Sequence, residues 1–146
     1  MRTYLTYNIQ LDQPVSVAVD ELWQALTEPE LLAGWLMSND FVAREGHRFT
    51  FRAKPTIGWD GVVRCVVQRV TPLKQLSYSW ISGADMPETT VTWSLRPEAG
   101  GSVLTFTHTG FRGLKYSLVG RMLRYGWRDM IGRRLPALLA AKQDFA

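Results

Sequence analysis

The hydrophobic period of this chain changes twice, and few folds accommodate that pattern. Thr3 to Leu11 alternates, with Leu5, Tyr7, Ile9 and Leu11 on one face. Pro14 is expected to end that strand. From Ser16 to Met37 the spacing turns helical, with Val19, Leu22, Trp23 and Leu26 recurring at three and four residues. From Asn39 to Gly110 the period is two throughout, and after Gly113 it is helical again. The order is therefore strand, two short helices, six strands, long helix. A sheet with one apolar face must bury it, and the terminal helix is the only large apolar element left to cover it. Short turns between successive strands argue for an antiparallel meander. The expected class is α+β: a curved antiparallel sheet of about seven strands wrapped around a long C-terminal helix, with two short helices after the first strand.

Local signals place the boundaries. Asp20 and Glu21 sit early in the first helix, where its dipole favours acids. Thr27 can cap a second helix, with Pro29 and Glu30 suited to its first turn and Leu31, Leu32 and Trp35 as its stripe. Phe41 begins an edge, Gly46 turns the chain, and Phe49 and Phe51 share a face. Ile57 to Val70 reads as one long strand with Val63, Cys65 and Val67 inward. Leu76, Tyr78 and Trp80 alternate, residues 83–87 form a loop, and Val91, Trp93 and Leu95 alternate next. Gly100-Gly101 makes a hairpin turn before Leu104, Phe106 and His108. In the last helix Leu118, Val119, Met122, Leu123, Trp127, Met130, Ile131, Leu135, Leu138 and Leu139 form a broad stripe. Pro136 cannot bond to the carbonyl of Gly132, so a kink or break is expected there.

Nothing divides the 146 residues, which fit one domain, 1–146. Six Trp, six Phe and five Tyr are many rings for such a chain. A sheet curled about one helix leaves space at its wide end unless large side chains fill it. The inward residues there are Phe41, Phe49, Phe51, Tyr78, Trp80, Trp93, Phe106 and His108 from strands. The helix adds Trp127, Met130 and Ile131, and Trp35 completes the set of candidate ligand-binding residues. Rings opposite a Met and a Trp are a usual lining of an apolar small-molecule site. The alternative is that they simply fill the space.

Charge is uneven. Residues 1–110 hold nine basic and eleven acidic side chains, whereas residues 111–146 hold eight basic and two acidic. Arg121, Arg124 and Arg128 lie on one helix face, which reads as a solvated face or as a contact for an anionic surface. No nucleic-acid motif accompanies them. Two His and one Cys at no ligand spacing argue against a metal site. No glycine-rich phosphate loop or other cofactor signature is present. Cys65, mid-strand in an apolar run, reads as core, and a lone cysteine fits a reduced, cytoplasmic setting. No apolar run is long enough for membrane insertion. His108 is the ionisable residue of most interest, either as a base or ligand contact or as a hydrogen-bonded ring at the rim. Asp60 beside Trp59, and Asp85 with Glu88, could line an opening, but no catalytic set is assigned.

Several segments together resemble a known superfamily. They are PVSVAVDELWQALTEPELLAGW at 14–35, GVVRCVVQRVTP at 61–72, LSYSW at 76–80, VTWSL at 91–95, LTFTHTGF at 104–111 and GWRDMI at 126–131. The chain resembles the SRPBCC superfamily, whose helix-grip fold also serves START, birch-pollen-allergen-like and polyketide-cyclase domains. Within it the chain is most similar to the branch like the activator of the heat-shock-chaperone ATPase. It departs from that pattern at Pro136 and in the long basic stretch 112–125. The resemblance implies a cavity between sheet and helix but no single activity. Three functions follow as expectations: binding of a small hydrophobic or aromatic molecule, a cyclase- or aromatase-like reaction, or a co-chaperone-like interaction. The first is preferred, because no catalytic constellation is visible. A homodimer is the commonest assembly for such a chain, though no residue specifies one.

Overall fold

The computed structural model describes residues 6–144. Leu5 and the start of the expected first strand lie outside the described residues. The elements run β1 (Thr6–Val15), α1 (Val19–Thr27), α2 (Pro29–Trp35), β2 (Ser38–Asn39), β3 (Arg48–Arg52), β4 (Val62–Thr71), β5 (Gln75–Trp80), β6 (Thr89–Glu98) and β7 (Gly101–Arg112). The terminal helix follows as α3 (Gly113–Asp129), a π-helical turn (Met130–Arg134) and α4 (Leu135–Asp144). The seven strands form an antiparallel sheet in the order β1-β7-β6-β5-β4-β3-β2. The sequence-derived order is reproduced element for element.

Its departures from expectation each have a local cause. Pro14 does not end β1, because β1 is an edge strand where a missing N–H costs no ladder bond, and Pro14 stays paired with Val103. Thr27 does not cap α2; its hydroxyl donates back to the carbonyl of Trp23, and Glu28 stands at the N-cap. The edge strand precedes Phe41, and Asn39 shapes the turn into it by accepting from the Phe41 amide. Residues 57–61 are not strand. Thr56 and Trp59 close a tight turn that leaves Ile57 fully exposed, so β4 starts only at Val62.

Two bulges set which side chains face inward. One extra residue in β4 near Gln68 shifts its register with β5. Another, in β7 near Gly110, lets both His108 and Phe111 point into the core although they are three residues apart. Gly110 takes φ +108°, which only glycine adopts without strain.

The terminal helix is interrupted where Pro136 predicts. The interruption is a widened turn and not a break: the amide of Leu135 reaches five residues back to the carbonyl of Met130. That spacing accommodates the proline ring and its missing donor. The helix is also rotated relative to expectation. Ser117, Gly120 and Trp127 are its buried residues, whereas Leu118 and Met122 face outward. Gly120 sets this rotation. A Cβ there would lie 2.7 Å from Tyr7 Cδ2 and 3.0 Å from Phe111 Cγ, so α3 rests directly on the rings of β1 and β7. Gly120→Val is expected to lower unfolding free energy by about 2 kcal/mol through overpacking, despite removing a helical glycine. Chemical denaturation of the variant checks this.

Candidate functional site

Between α3 and the β4–β5 side of the sheet lies a cavity of about 620 Å³. The helix supplies Val119, Met122, Leu123, Gly126 and Trp127, and the π turn supplies Met130. Strands β4 and β5 supply Val63 and Trp80. The rest of the wall comes from Met37 after α2, from Gly58 and Trp59 in the 56–59 turn, and from residues 82–86. The wall is mostly apolar, and Asp85 is its one ionisable residue among those described. Tyr116 secures the 82–86 loop by donating from its hydroxyl to the carbonyl of Asp85 at 3.1 Å.

Trp80, Trp127 and Met130 of the sequence-derived candidates line this cavity. The other nine lie beside it in the core. Trp35, Phe41, Phe49, Phe51, Tyr78, Trp93, Phe106 and Ile131 are all buried and packed on one another. Trp93 and Trp127 both lie on Phe106, with ring centroids at 4.5 and 4.4 Å. Phe49 stands edge-on to Tyr78 at 5.1 Å. Most of the rings fill the wide end by packing on each other, and Trp80 and Trp127 border the cavity against the helix. Met37, Trp59 and Met86 were not among the candidates. All three lie outside regular elements, where no period marks which way a side chain points. Only the pairing of Trp59 with Asp60, and Asp85 in the 83–87 loop, had pointed to an opening.

His108 is completely buried, and Trp127 contacts it from the helix side. The Trp127 indole N–H donates to Nδ1 at 3.1 Å. Nδ1 must then be unprotonated, so Nε2 carries the hydrogen and donates to Thr89 Oγ1 at 2.7 Å. The Thr89 hydroxyl in turn donates to the carbonyl of Trp80 at 3.0 Å. Every polar atom of the chain is satisfied with a neutral ring, and burial pushes the His108 pKa down to about 3. The same hydrogen bonds fix the Trp127 ring and the Trp80 backbone beside the cavity. The Trp93 indole donates to the Tyr78 hydroxyl at 2.8 Å, and burial raises the Tyr78 pKa. Burial likewise raises the Cys65 thiol, as an inert core cysteine requires.

Two donors at the wall are unused. The indole nitrogens of Trp59 and Trp80 are buried and have no hydrogen-bond partner among the described residues. Gly126 is a third anomaly. It sits inside α3, where glycine costs roughly 1 kcal/mol against alanine, yet nothing lies within 4 Å of where its Cβ would be. It is exposed and lines the rim of the cavity. Among the described residues, no three His, Cys, Asp or Glu side chains cluster as a metal site would need, and no helix is long and apolar enough to cross a membrane.

A curved sheet gripping a terminal helix, with an apolar cavity between them, defines a helix-grip protein. Residues 16–140 match the family model for activator of Hsp90 ATPase homolog 1-like proteins, and the chain belongs to that family. Protein MLL2253 from Mesorhizobium loti is 32% identical, with a TM-score of 0.82 over 92% of this chain and 98% of that one. Protein BH1534 from Bacillus halodurans is 26% identical, with a TM-score of 0.78 over 94% and 99%. DynU16, a protein in the dynemicin biosynthetic locus, is 25% identical with a TM-score of 0.78 over 91% of this chain, which spans 47% of DynU16. No curated protein matches the chain.

Proposed function

We propose that this protein binds a small hydrophobic or aromatic molecule, a lipid, polyketide or similar metabolite, in the cavity between sheet and terminal helix. The observation that carries this reading is the apolar cavity itself, with Gly126 at its rim, where the helix keeps a glycine although a Cβ would meet nothing. An apolar wall of this size suits a ligand buried over most of its surface. The indole nitrogens of Trp59 and Trp80 have no partner among the described residues, and both rings line the cavity, which favours a ligand with an acceptor oxygen. The place of DynU16 in a biosynthetic locus agrees with metabolite cargo.

A reaction is less well supported. His108 does not reach the cavity, its ring is committed on both sides, and Asp85 is the one acid on the wall. Trp59, Trp80 and Trp127 make binding directly visible. Titration with anilinonaphthalene sulfonate or a long-chain fatty acid is expected to change intrinsic tryptophan emission saturably, with a smaller change in Trp59→Phe. Emission that responds to neither probe would count against the reading.

A further inference from the structure

The cavity leaves one face of α3 without a role. Leu114, Leu118, Met122 and Tyr125 are 69%, 53%, 73% and 75% exposed. At 100° per residue they fall in one stripe about 80° wide. Single exposed apolar residues are ordinary, but four aligned on one helix mark a contact surface. On one side the stripe borders the cavity wall at Val119 and Gly126; on the other it borders Arg121 and Arg128. Ile57, fully exposed beside Gly58 and Trp59, adds an apolar tip on the opposite lip of the cavity.

The charge around this stripe is one-sided. Within α3 lie Lys115, Arg121, Arg124 and Arg128, and the first acid is Asp129, its last residue. Arg121 lies over the Tyr7 ring at 4.8 Å and Arg124 donates to the Tyr7 hydroxyl at 3.3 Å. Among the described residues, the ion pairs are Arg64–Asp60 and Arg133–Asp129, so none of these four cations has a carboxylate partner. Asp85 belongs to the cavity wall.

We propose that this face of α3 docks on an anionic lipid surface, with the apolar stripe in the headgroup–acyl boundary and Lys115, Arg121 and Arg128 among the phosphates. A helix that lies in a membrane interface needs just such an apolar face flanked by Lys and Arg. A second copy of the chain fits less well, because a two-fold contact would set the same cations against each other. Nucleic acid would use the cations but not the leucines. Met122 is both part of the stripe and part of the cavity wall, so docking would turn the cavity mouth toward the lipid. That last point rests on the ligand-binding reading; the lipid contact itself does not.

Flotation with vesicles separates the outcomes. The protein is expected to float with vesicles of phosphatidylcholine and phosphatidylglycerol in equal parts, to bind pure phosphatidylcholine at least about ten-fold more weakly, and to be released by high salt. Leu114→Ser with Leu118→Ser is expected to weaken binding about ten-fold or more, and Arg128→Gln about five-fold. These positions are exposed and lie off the cavity wall, so the melting temperature and ligand titration should not change. No binding to anionic vesicles, equal binding to neutral ones, or binding that survives loss of both leucines would overturn the proposal. A concentration-dependent dimer abolished by the same pair, without flotation, would assign the face to a second copy instead.

Discussion

Replacing His108 with leucine is expected to lower unfolding free energy by about 3 kcal/mol at neutral pH. The ring is the centre of a buried chain in which Trp127 donates to it and it donates to Thr89. Leucine would leave the Trp127 indole N–H unsatisfied in the core, and that desolvation dominates the loss. His108→Gln offers one acceptor and one donor in similar places and should cost clearly less. The two variants also differ from wild type in acid. The folded protein holds the ring neutral down to about pH 3, whereas the unfolded chain protonates it near 6.5. Between those values the unfolded state binds the extra proton, so wild-type stability is complete above about 6.5 and falls with pH. The slope approaches about 1.4 kcal/mol per pH unit, or roughly 2 kcal/mol from neutrality to pH 5. Ordinary carboxylates titrate near 4, which keeps this window largely clear of them. Denaturant unfolding of wild type and His108→Gln at pH 7 and 5 checks the sign. An equal loss in both proteins would mean that His108 is not the group responsible.

Filling the space at Gly126 should separate binding from stability. Gly126→Ala replaces a helical glycine where the added methyl meets nothing, and is expected to stabilise the fold by roughly 0.5–1 kcal/mol. Gly126→Leu projects a larger group into the cavity from the same position, and is expected to fold as well as wild type while lowering ligand affinity at least about a hundred-fold. Few substitutions in a binding site remove binding without destabilising the protein, because most delete a packed side chain. Here the side chain is added to unoccupied volume beside Trp127 and Met130. Calorimetric unfolding paired with the fluorescence titration reads both quantities on one sample.

The sequence discloses the order of elements because the period changes between them, even though bulges near Gln68 and Gly110 interrupt it within β4 and β7. It also discloses the interruption at Pro136, since a missing donor must be accommodated somewhere in the helix. Rotation of α3 about its own axis was not legible. Helical spacing placed Leu118 and Met122 in one stripe with Trp127, but the contact of Gly120 with Tyr7 and Phe111 decides which part of that stripe meets the sheet. Strand parity similarly showed that Phe49, Phe51, Tyr78 and Phe106 point inward. It could not show that they pack on each other while Trp80 and Trp127 border open volume, because that depends on how the sheet curls. Trp59 and Met86 enter the wall from turns, where side-chain direction follows from tertiary contacts.

The central claim is that the cavity is a ligand site, and native mass spectrometry of the purified protein tests it most directly. Wild type is expected to carry a reproducible extra mass, either as isolated or after exposure to a mixture of lipids and aromatic metabolites. Gly126→Leu, equally folded, is expected to carry none. Solvent extraction of the bound material would then give its chemical class. A bare wild-type mass after the same exposure, or an adduct that persists unchanged in Gly126→Leu, would contradict the account.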